Sequence, residues 1–225
     1  MKPKLSYAVF GNGSWATAIV KMLCENLDEI YWYVRTPQTL DYIQKEKHNP
    51  KYLSSVEFDT NRLNLNCDIN FVANKADVLI FAIPSAFIDE QIEHISVDIS
   101  AKIIVSAVKG IVPETGLLVA EHFSKTKNVP MSNIAVIGGP CHAEEVALER
   151  LSYLTIACMD PEISKEVSLR LSSHYINARV HEDIIGAEHA AMLKNIYAIA
   201  AGISHGLGYG DNFQSVLMSL SLIHI

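Results

Sequence analysis

The sequence predicts an α/β fold: a doubly wound, mostly parallel Rossmann-type sheet followed by the start of an all-helical domain. Three observations predict it. Apolar strand-like runs and helix-spaced segments alternate to about residue 180. The first junction, Val9-Phe10-Gly11-Asn12-Gly13-Ser14-Trp15-Ala16-Thr17-Ala18, is a glycine turn between an apolar run and an alanine-rich segment with helical spacing. From Asp183 onward the alternation stops and the pattern reads as helix throughout. A boundary near residue 182 follows, with a dinucleotide-binding domain over 1–182.

Each element has its own justification. Leu5 to Phe10 is the first strand and Ser14 to Asn26 the first helix; Glu29 to Val34 is a strand, and Pro37 to Lys47 a helix. His48 to Asn70 is polar and poorly periodic, mixing loop with short strands. Asp77 to Ile83 is a continuous apolar run, the mark of a strand buried on both faces. Pro84-Ser85 starts a helix, with proline in its first turn. Lys102 to Ala107 is a strand, Glu114 to Phe123 helical, and Ile134 to Ile137 a strand that breaks at Gly138-Gly139-Pro140 before a helix from Cys141 to Leu148. Strands over Ser152 to Cys158 and Tyr175 to Val180 flank a helix from Pro161 to Ser172. A long helix then runs to about His205, Gly206, Gly208 and Gly210 end it, and another begins near Asp211.

Bulk properties narrow the function classes. A formal net charge of −7 argues against general nucleic-acid binding. No apolar run approaches the roughly 20 residues a membrane span needs, and the first strand leaves no room for a signal peptide's apolar region. Cys24, Cys67, Cys141 and Cys158 form no CxxC pair, which suits a reduced cytoplasm better than a disulfide framework. His181, His189 and His205 have no metal-ligand spacing, so no metal site is expected.

Ligands of open parallel sheets bind beyond the carboxyl ends of the strands. Gly11 to Trp15, Ile83-Pro84-Ser85, Val108-Lys109-Gly110 and Gly138 to His142 all fall there. Gly11 permits the tight turn, Gly13 leaves room for a pyrophosphate, Ala16 lets the helix pack on the strand, and the helix N-terminus offers N–H groups to the anion. Trp15 either covers the cofactor or packs. The second strand ends Val34-Arg35-Thr36, without the acid that holds the ribose 2′-hydroxyl of NAD. Arg35 either meets the 2′-phosphate of NADP or is a solvated strand end. Lys109 is placed for a phosphate or a developing oxyanion, the alternative being an ordinary surface lysine. Lys194 shares a helix face with Ala187, Ala190, Ala191, Ala198 and Ala201, which points it into a crowded surface. Desolvation and a second cation would lower its pKa toward general acid–base duty; the alternative is an ammonium snorkelling out at the stripe's edge. His142 is a substrate contact or packing, Cys141 an inert thiol or polar contact, and Glu144 and Glu145 favour the helix N-terminus.

Taken in order, Gly11 to Ala18, Ile83-Pro84-Ser85, Val108-Lys109-Gly110-Ile111, Gly138-Gly139-Pro140, Ala190-Ala191-Met192-Leu193-Lys194-Asn195 and Gly206-Leu207-Gly208-Tyr209-Gly210-Asp211-Asn212 resemble the bacterial-type NAD(P)-dependent glycerol-3-phosphate dehydrogenases over residues 5 to 218. The resemblance implies NAD or NADP as cofactor and reversible reduction of dihydroxyacetone phosphate to sn-glycerol 3-phosphate. It implies a cofactor site of Gly11, Gly13, Ser14, Trp15, Arg35, Lys109 and Ala143. Substrate falls to Lys109, Gly139, Cys141, Lys194 and Asn195, with Lys194 the proton donor and acceptor and Lys109 stabilising charge.

The resemblance also implies that 183–225 is the truncated N-terminal part of a helical substrate-binding domain, with a homodimer open to the full-length protein. Cys141 stands where the family commonly has serine or threonine, and His142 where it often has an aromatic residue. The resemblance fails over 219–225, where Leu220-Ser221-Leu222-Ile223-His224-Ile225 reads as translated adapter DNA. The family continues beyond this point with further substrate-binding groups, so turnover by these 225 residues alone is expected to be impaired. The competing readings are a nucleotide-binding fragment without turnover and a related hydroxyacid or ketopantoate-type dehydrogenase; the Lys109-Gly110 and Lys194-Asn195 pair speaks against the latter.

Overall fold

A computed structural model describes the backbone of residues 5–223 and the side chains of residues 5–219. The tail side chains behind the adapter expectation lie outside the described residues. Among the described residues the strands are β1 (Tyr7–Phe10), β2 (Ile30–Tyr33), β3 (Leu63–Asn66), β4 (Val78–Phe81), β5 (Ile103–Ser106), β6 (Ile134–Gly138), β7 (Ser152–Cys158) and β8 (Ile176–His181). They form one sheet in the order β3-β2-β1-β4-β5-β6-β7-β8. The first six follow the order of dinucleotide-binding folds and pair in parallel, β7 runs antiparallel to β6, and β8 is parallel to β7.

The helices are α1 (Ser14–Cys24), α2 (Pro37–Glu46), α3 (Ile69–Lys75), α4 (Ile88–Glu93), α5 (Val119–Lys127), α6 (Ala143–Ala147), α7 (Pro161–Leu171), α8 (Ile184–Gly206) and α9 (Asp211–Ile223). Side-chain alternation along β1 explains why both faces are covered. Tyr7 and Val9 enter one apolar cluster with Ile19 and Leu23 of α1 and Val167 and Leu171 of α7. Ala8 and Phe10 enter the other, with Val72 of α3, Ile92 of α4 and Phe123 of α5. Phe10 stacks on Phe81 at 4.6 Å between centroids, and Phe81 meets Phe123 at 4.8 Å.

Three local expectations need correction. The segment 114–118 is not helical: Gly116 takes φ +67°, Ile111 bridges Leu118, and α5 starts only at Val119. Within the polar stretch expected to be loop and short strands, α3 begins at Ile69, because Asp68 caps it by accepting from the N–H groups of Asn70 and Phe71 at 2.9 and 3.2 Å. The segment after Pro84 opens as a 3₁₀ turn, Ser85–Phe87, before α4. The sheet ends at His181 and α8 starts at Ile184. Among the described residues no helix is long and apolar enough to cross a membrane.

Candidate active site

Parallel register places the carboxyl ends of the central strands level. Phe10 pairs with Phe81, and Phe81 with Ser106. The ladder continues one residue further, Ala82 N–H donating to the Phe10 carbonyl at 2.9 Å and Ala107 N–H to the Phe81 carbonyl at 2.9 Å. The loops beyond these ends frame two neighbouring cavities.

The first, of about 300 Å³, is lined by Gly11, Asn12, Gly13, Tyr33, Arg35 and Ala82, together with Ile83, Pro84 and Phe87. Gly11 has φ +122°, and a Cβ there would collide with the Ala82 carbonyl oxygen. Gly13 is different. Its φ is −77°, and a Cβ would meet no protein atom within 4 Å. Nothing in the fold itself calls for glycine at 13; the space it leaves is space for a ligand. Gly13 is also the N-cap of α1 and supplies no side-chain hydrogen bond, so the first N–H groups of α1 carry no side-chain cap. A pyrophosphate fits both facts.

The turn is held from behind by residues that periodicity does not reveal. Buried Asn49 donates to the Asn12 carbonyl at 3.0 Å and to Thr17 Oγ1 at 2.9 Å, while Thr17 donates to the Gly13 carbonyl at 2.8 Å. Trp32 Nε1 donates to the Gly11 carbonyl at 2.7 Å. Asn49 Oδ1 also accepts from the N–H groups of Lys51 and Tyr52, fixing that loop beside Arg35. Thr17 carries the only available signal, a hydroxyl inside an otherwise apolar helix face. Asn49 lies in a polar stretch and has none.

Beside Arg35 lies a small recess of about 70 Å³, whose lining includes Asn12, Thr36, Thr39, Asn49, Lys51 and Tyr52. Thr36 caps α2, accepting from Thr39 N–H at 3.4 Å. Two cations and a helix N-terminus surround this recess, and among the described residues no carboxylate lines it.

The second cavity, of about 570 Å³, gathers Trp15, Lys109, Gly139, Cys141, His142 and Lys194, with Thr155 and three alanines of α8. Gly139 has φ +110°, and a Cβ would approach the Tyr153 carbonyl oxygen to 2.6 Å, so the backbone turn requires glycine. Lys109 Nζ lies 5.9 Å from the Trp15 ring centroid, which gives the tryptophan of the phosphate turn a cation–π contact. Partial burial and, next, the nearby Lys194 ammonium hold the Lys109 pKa below the ordinary lysine value. Burial pushes the Cys141 thiol up, the direction of an inert thiol.

Ala187, Ala190, Ala191 and Lys194 line this cavity from one face of α8, as their spacing predicts. The crowding expected around Lys194 is not found: the side chain is exposed. The small residues leave an open cavity instead of closing on a neighbour. Ser14, Ala143 and Asn195 line neither cavity. Ala143 is buried in the core with Ala16, and Asn195 is exposed. Thr155, Asn49 and Tyr52 are site residues that sequence reasoning missed.

Comparison with known proteins places the chain in a family. Residues 6–164 match the family model described as NAD-dependent glycerol-3-phosphate dehydrogenase N-terminus, and residues 183–225 match its C-terminus model. The chain is 33% identical to a glycerol-3-phosphate dehydrogenase [NAD(P)+] of Latilactobacillus sakei, covering 98% of this chain and 66% of that protein. It is 33% identical to one of Staphylococcus carnosus, covering 97% and 66%. It thus spans just under two thirds of the length of these relatives. The crystal structure of glycerol-3-phosphate dehydrogenase from Coxiella burnetii superposes with a TM-score of 0.80 at 28% identity, over 96% of this chain and 66% of that one. With matching models over both its parts and a shared fold, the chain belongs to the NAD-dependent glycerol-3-phosphate dehydrogenase family.

Proposed function

We propose that these residues form the cofactor-binding and Lys194-bearing part of an NAD(P)-dependent oxidoreductase that interconverts dihydroxyacetone phosphate and sn-glycerol 3-phosphate, supplying glycerophospholipid synthesis. The observation that carries this reading is the meeting of Lys109 and Lys194 in one cavity, with Trp15 of the glycine turn on its wall. On this reading residues 1–182 are the dinucleotide-binding domain and 183–225 belong to the helical substrate-binding domain. The pyrophosphate lies over Gly11 and Gly13 at the N-terminus of α1. Ser14, Trp15, Arg35, Lys109 and Ala143 complete the cofactor site, of which Ser14 and Ala143 stand outside the two cavities. When bound, the nicotinamide supplies or accepts the hydride.

The protein's own residues do the rest. Lys194 gives its proton to the carbonyl oxygen in reduction and takes it back in oxidation. Lys109 stabilises the negative charge that develops there. Two ammonium groups this close repel one another, and a phosphorylated substrate offsets that repulsion, so the pair selects a dianionic ligand. Gly139 and Cys141 face the substrate, with Asn195 beside Lys194. The four free cysteines suit a cytoplasmic protein, the net charge of −7 disfavours nucleic acid, and a homodimer is the assembly we expect of the family-length protein. Steady-state assays against glycerol 3-phosphate and a panel of 2-hydroxyacids test the reaction; oxidation of a hydroxyacid but not of glycerol 3-phosphate overturns the reading.

A second reading applies to the 225 residues on their own: nucleotide binding with little turnover. It is favoured by the solvent exposure of Lys194 and of Ile196, Ile199 and Ile203 on the same helix. Cofactor binding with turnover near that of the family-length relatives overturns it.

A further inference from the structure

Glu188 is a carboxylate with an unusual address. It is only 3% exposed, sits on α8, and accepts from the backbone N–H of Ala120 with both oxygens, at 3.2 and 3.3 Å. Ala120 is in the first turn of α5, a nine-residue helix whose own N-cap, Leu118, supplies no side-chain bond. The cap of α5 therefore comes from a residue 68 positions further along the chain.

Beyond this end α8 runs beside β6 and β7 but buries few side chains. Its buried residues are Ile184, Glu188 and Ser204, and Ser204 donates within its own helix, to the Ala200 carbonyl. Ile184 enters the apolar cluster that covers one face of the sheet, and Ala187 packs against it. Glu188 is thus the polar peg beside an apolar foothold at one end of a 23-residue helix. Lys194 lies six residues beyond that peg, roughly 9 Å along the axis at 1.5 Å per residue. A small tilt at the peg displaces the ammonium by ångströms.

We propose that Glu188 is a positioning residue: by capping α5 from α8, it seats α8 so that Lys194 stands beside Lys109 over the cavity. The proposal rests on the assignment of Lys109 and Lys194 as a working pair. It predicts that the hydrogen-bond acceptor at 188, and its reach, matter to the distance between two lysines that Glu188 never touches.

The test reads that distance without requiring turnover. The protein is treated with 1,5-difluoro-2,4-dinitrobenzene, which bridges two amines across a single ring, and the Lys109–Lys194 cross-link is quantified by peptide mass spectrometry. Wild type and Glu188→Gln, whose amide oxygen keeps the acceptor, are expected to cross-link within twofold of one another. Glu188→Ala loses the link at least fivefold while far-UV circular dichroism and cofactor binding stay intact. Glu188→Asp, which draws the carboxylate back by one methylene, falls between them and keeps the proposal testable if the alanine variant does not fold. Wild-type yield in both Glu188→Ala and Glu188→Asp overturns the proposal, as does a Glu188→Gln yield as low as that of the shortened variants. Absence of the link in wild type itself breaks the lysine pairing and the proposal with it, an outcome distinct from a loss confined to the variants.

Discussion

The sheet unit and the helix α8 hold their functional groups in opposite ways. On the sheet, β1 and β4 are buried along their whole length, and the glycine turn is tied from Asn49, Thr17 and Trp32. On α8, burial is confined to Ile184, Glu188 and Ser204, while Ile196, Ile199 and Ile203 are 59%, 65% and 58% exposed. One region fixes its ligand groups by many redundant contacts. The other holds Lys194 by fewer contacts, a buried foothold at one end and the passage of α8 along β6 and β7. The cofactor turn should therefore tolerate loss of any one tie, whereas the position of Lys194 should hang on few residues.

The sharpest way to break this comparison is to remove Lys194. Lys194→Ala is expected to lower kcat by about 10²- to 10⁴-fold, the range for loss of a general acid–base group. The dissociation constant of the nicotinamide cofactor, read by fluorescence titration, should stay within twofold, because the turn that holds the pyrophosphate is built elsewhere. A near-normal rate removes Lys194 from the mechanism.

The foothold itself gives the next largest effect. Burial pushes the Glu188 carboxyl up to about 7, with Glu121 adding to the rise, while the N–H groups of Ala120 and Val119 and the charge of His189 pull the other way. A carboxyl whose folded pKa lies above its unfolded value of 4.5 contributes stability that is complete below that value. The contribution is lost as pH rises through about 7. At 1.36 kcal/mol per pKa unit the shift is worth ~3 kcal/mol. Urea denaturation of wild type should thus show stability falling between pH 5 and pH 8, and Glu188→Gln should flatten that fall. Parallel pH curves for the two proteins would detach Glu188 from the joint.

These two cases mark what the sequence could and could not disclose. The succession of strands and helices along the chain, the glycine turn and the face of α8 that bears Lys194 all follow from local periodicity, which is a property of neighbouring residues. The alanine spacing correctly groups Ala187, Ala190, Ala191 and Lys194 on one wall. It could not say whether that wall meets a neighbour or a cavity, so the predicted crowding of Lys194 failed. Asn49, Thr155 and Glu188 were invisible for a related reason. Asn49 and Glu188 act through partners set by the fold, Asn12, Thr17 and Ala120, and Thr155 through the cavity it lines; no spacing encodes either. The helix over 114–118 failed locally, where the left-handed conformation of Gly116 prevails over the helical pattern around it.

Two glycines of the turn separate structural from functional need. Gly11→Ala meets the Ala82 carbonyl and an unfavourable φ, so it should cost about 2 kcal/mol of folding stability, within the range for strained backbone. Gly13→Ala meets open space at an ordinary φ and should leave the melting temperature within a degree or two, yet weaken cofactor binding at least tenfold. Equal losses of stability in the two variants would show that both glycines serve the fold alone.

The smallest expected effect decides between the cofactors. Arg35 and Lys51 border the recess beside the Thr36-capped start of α2; among the described residues no carboxylate lines it to receive a ribose hydroxyl, Glu90 lying on the adjoining cavity. Both side chains are exposed, so each contact with a 2′-phosphate is screened and worth only about 1 kcal/mol. Arg35 has the planar fork that binds two phosphate oxygens at once, whereas Lys51 offers a single point charge. Arg35→Ala should then reduce the preference for NADPH over NADH about tenfold, and Lys51→Ala about threefold, with both effects shrinking as salt is raised from 50 to 500 mM. Measured dissociation constants for the two cofactors give the ratio directly. A ratio untouched by either substitution makes Arg35 a solvated strand end and leaves cofactor choice to the turn itself.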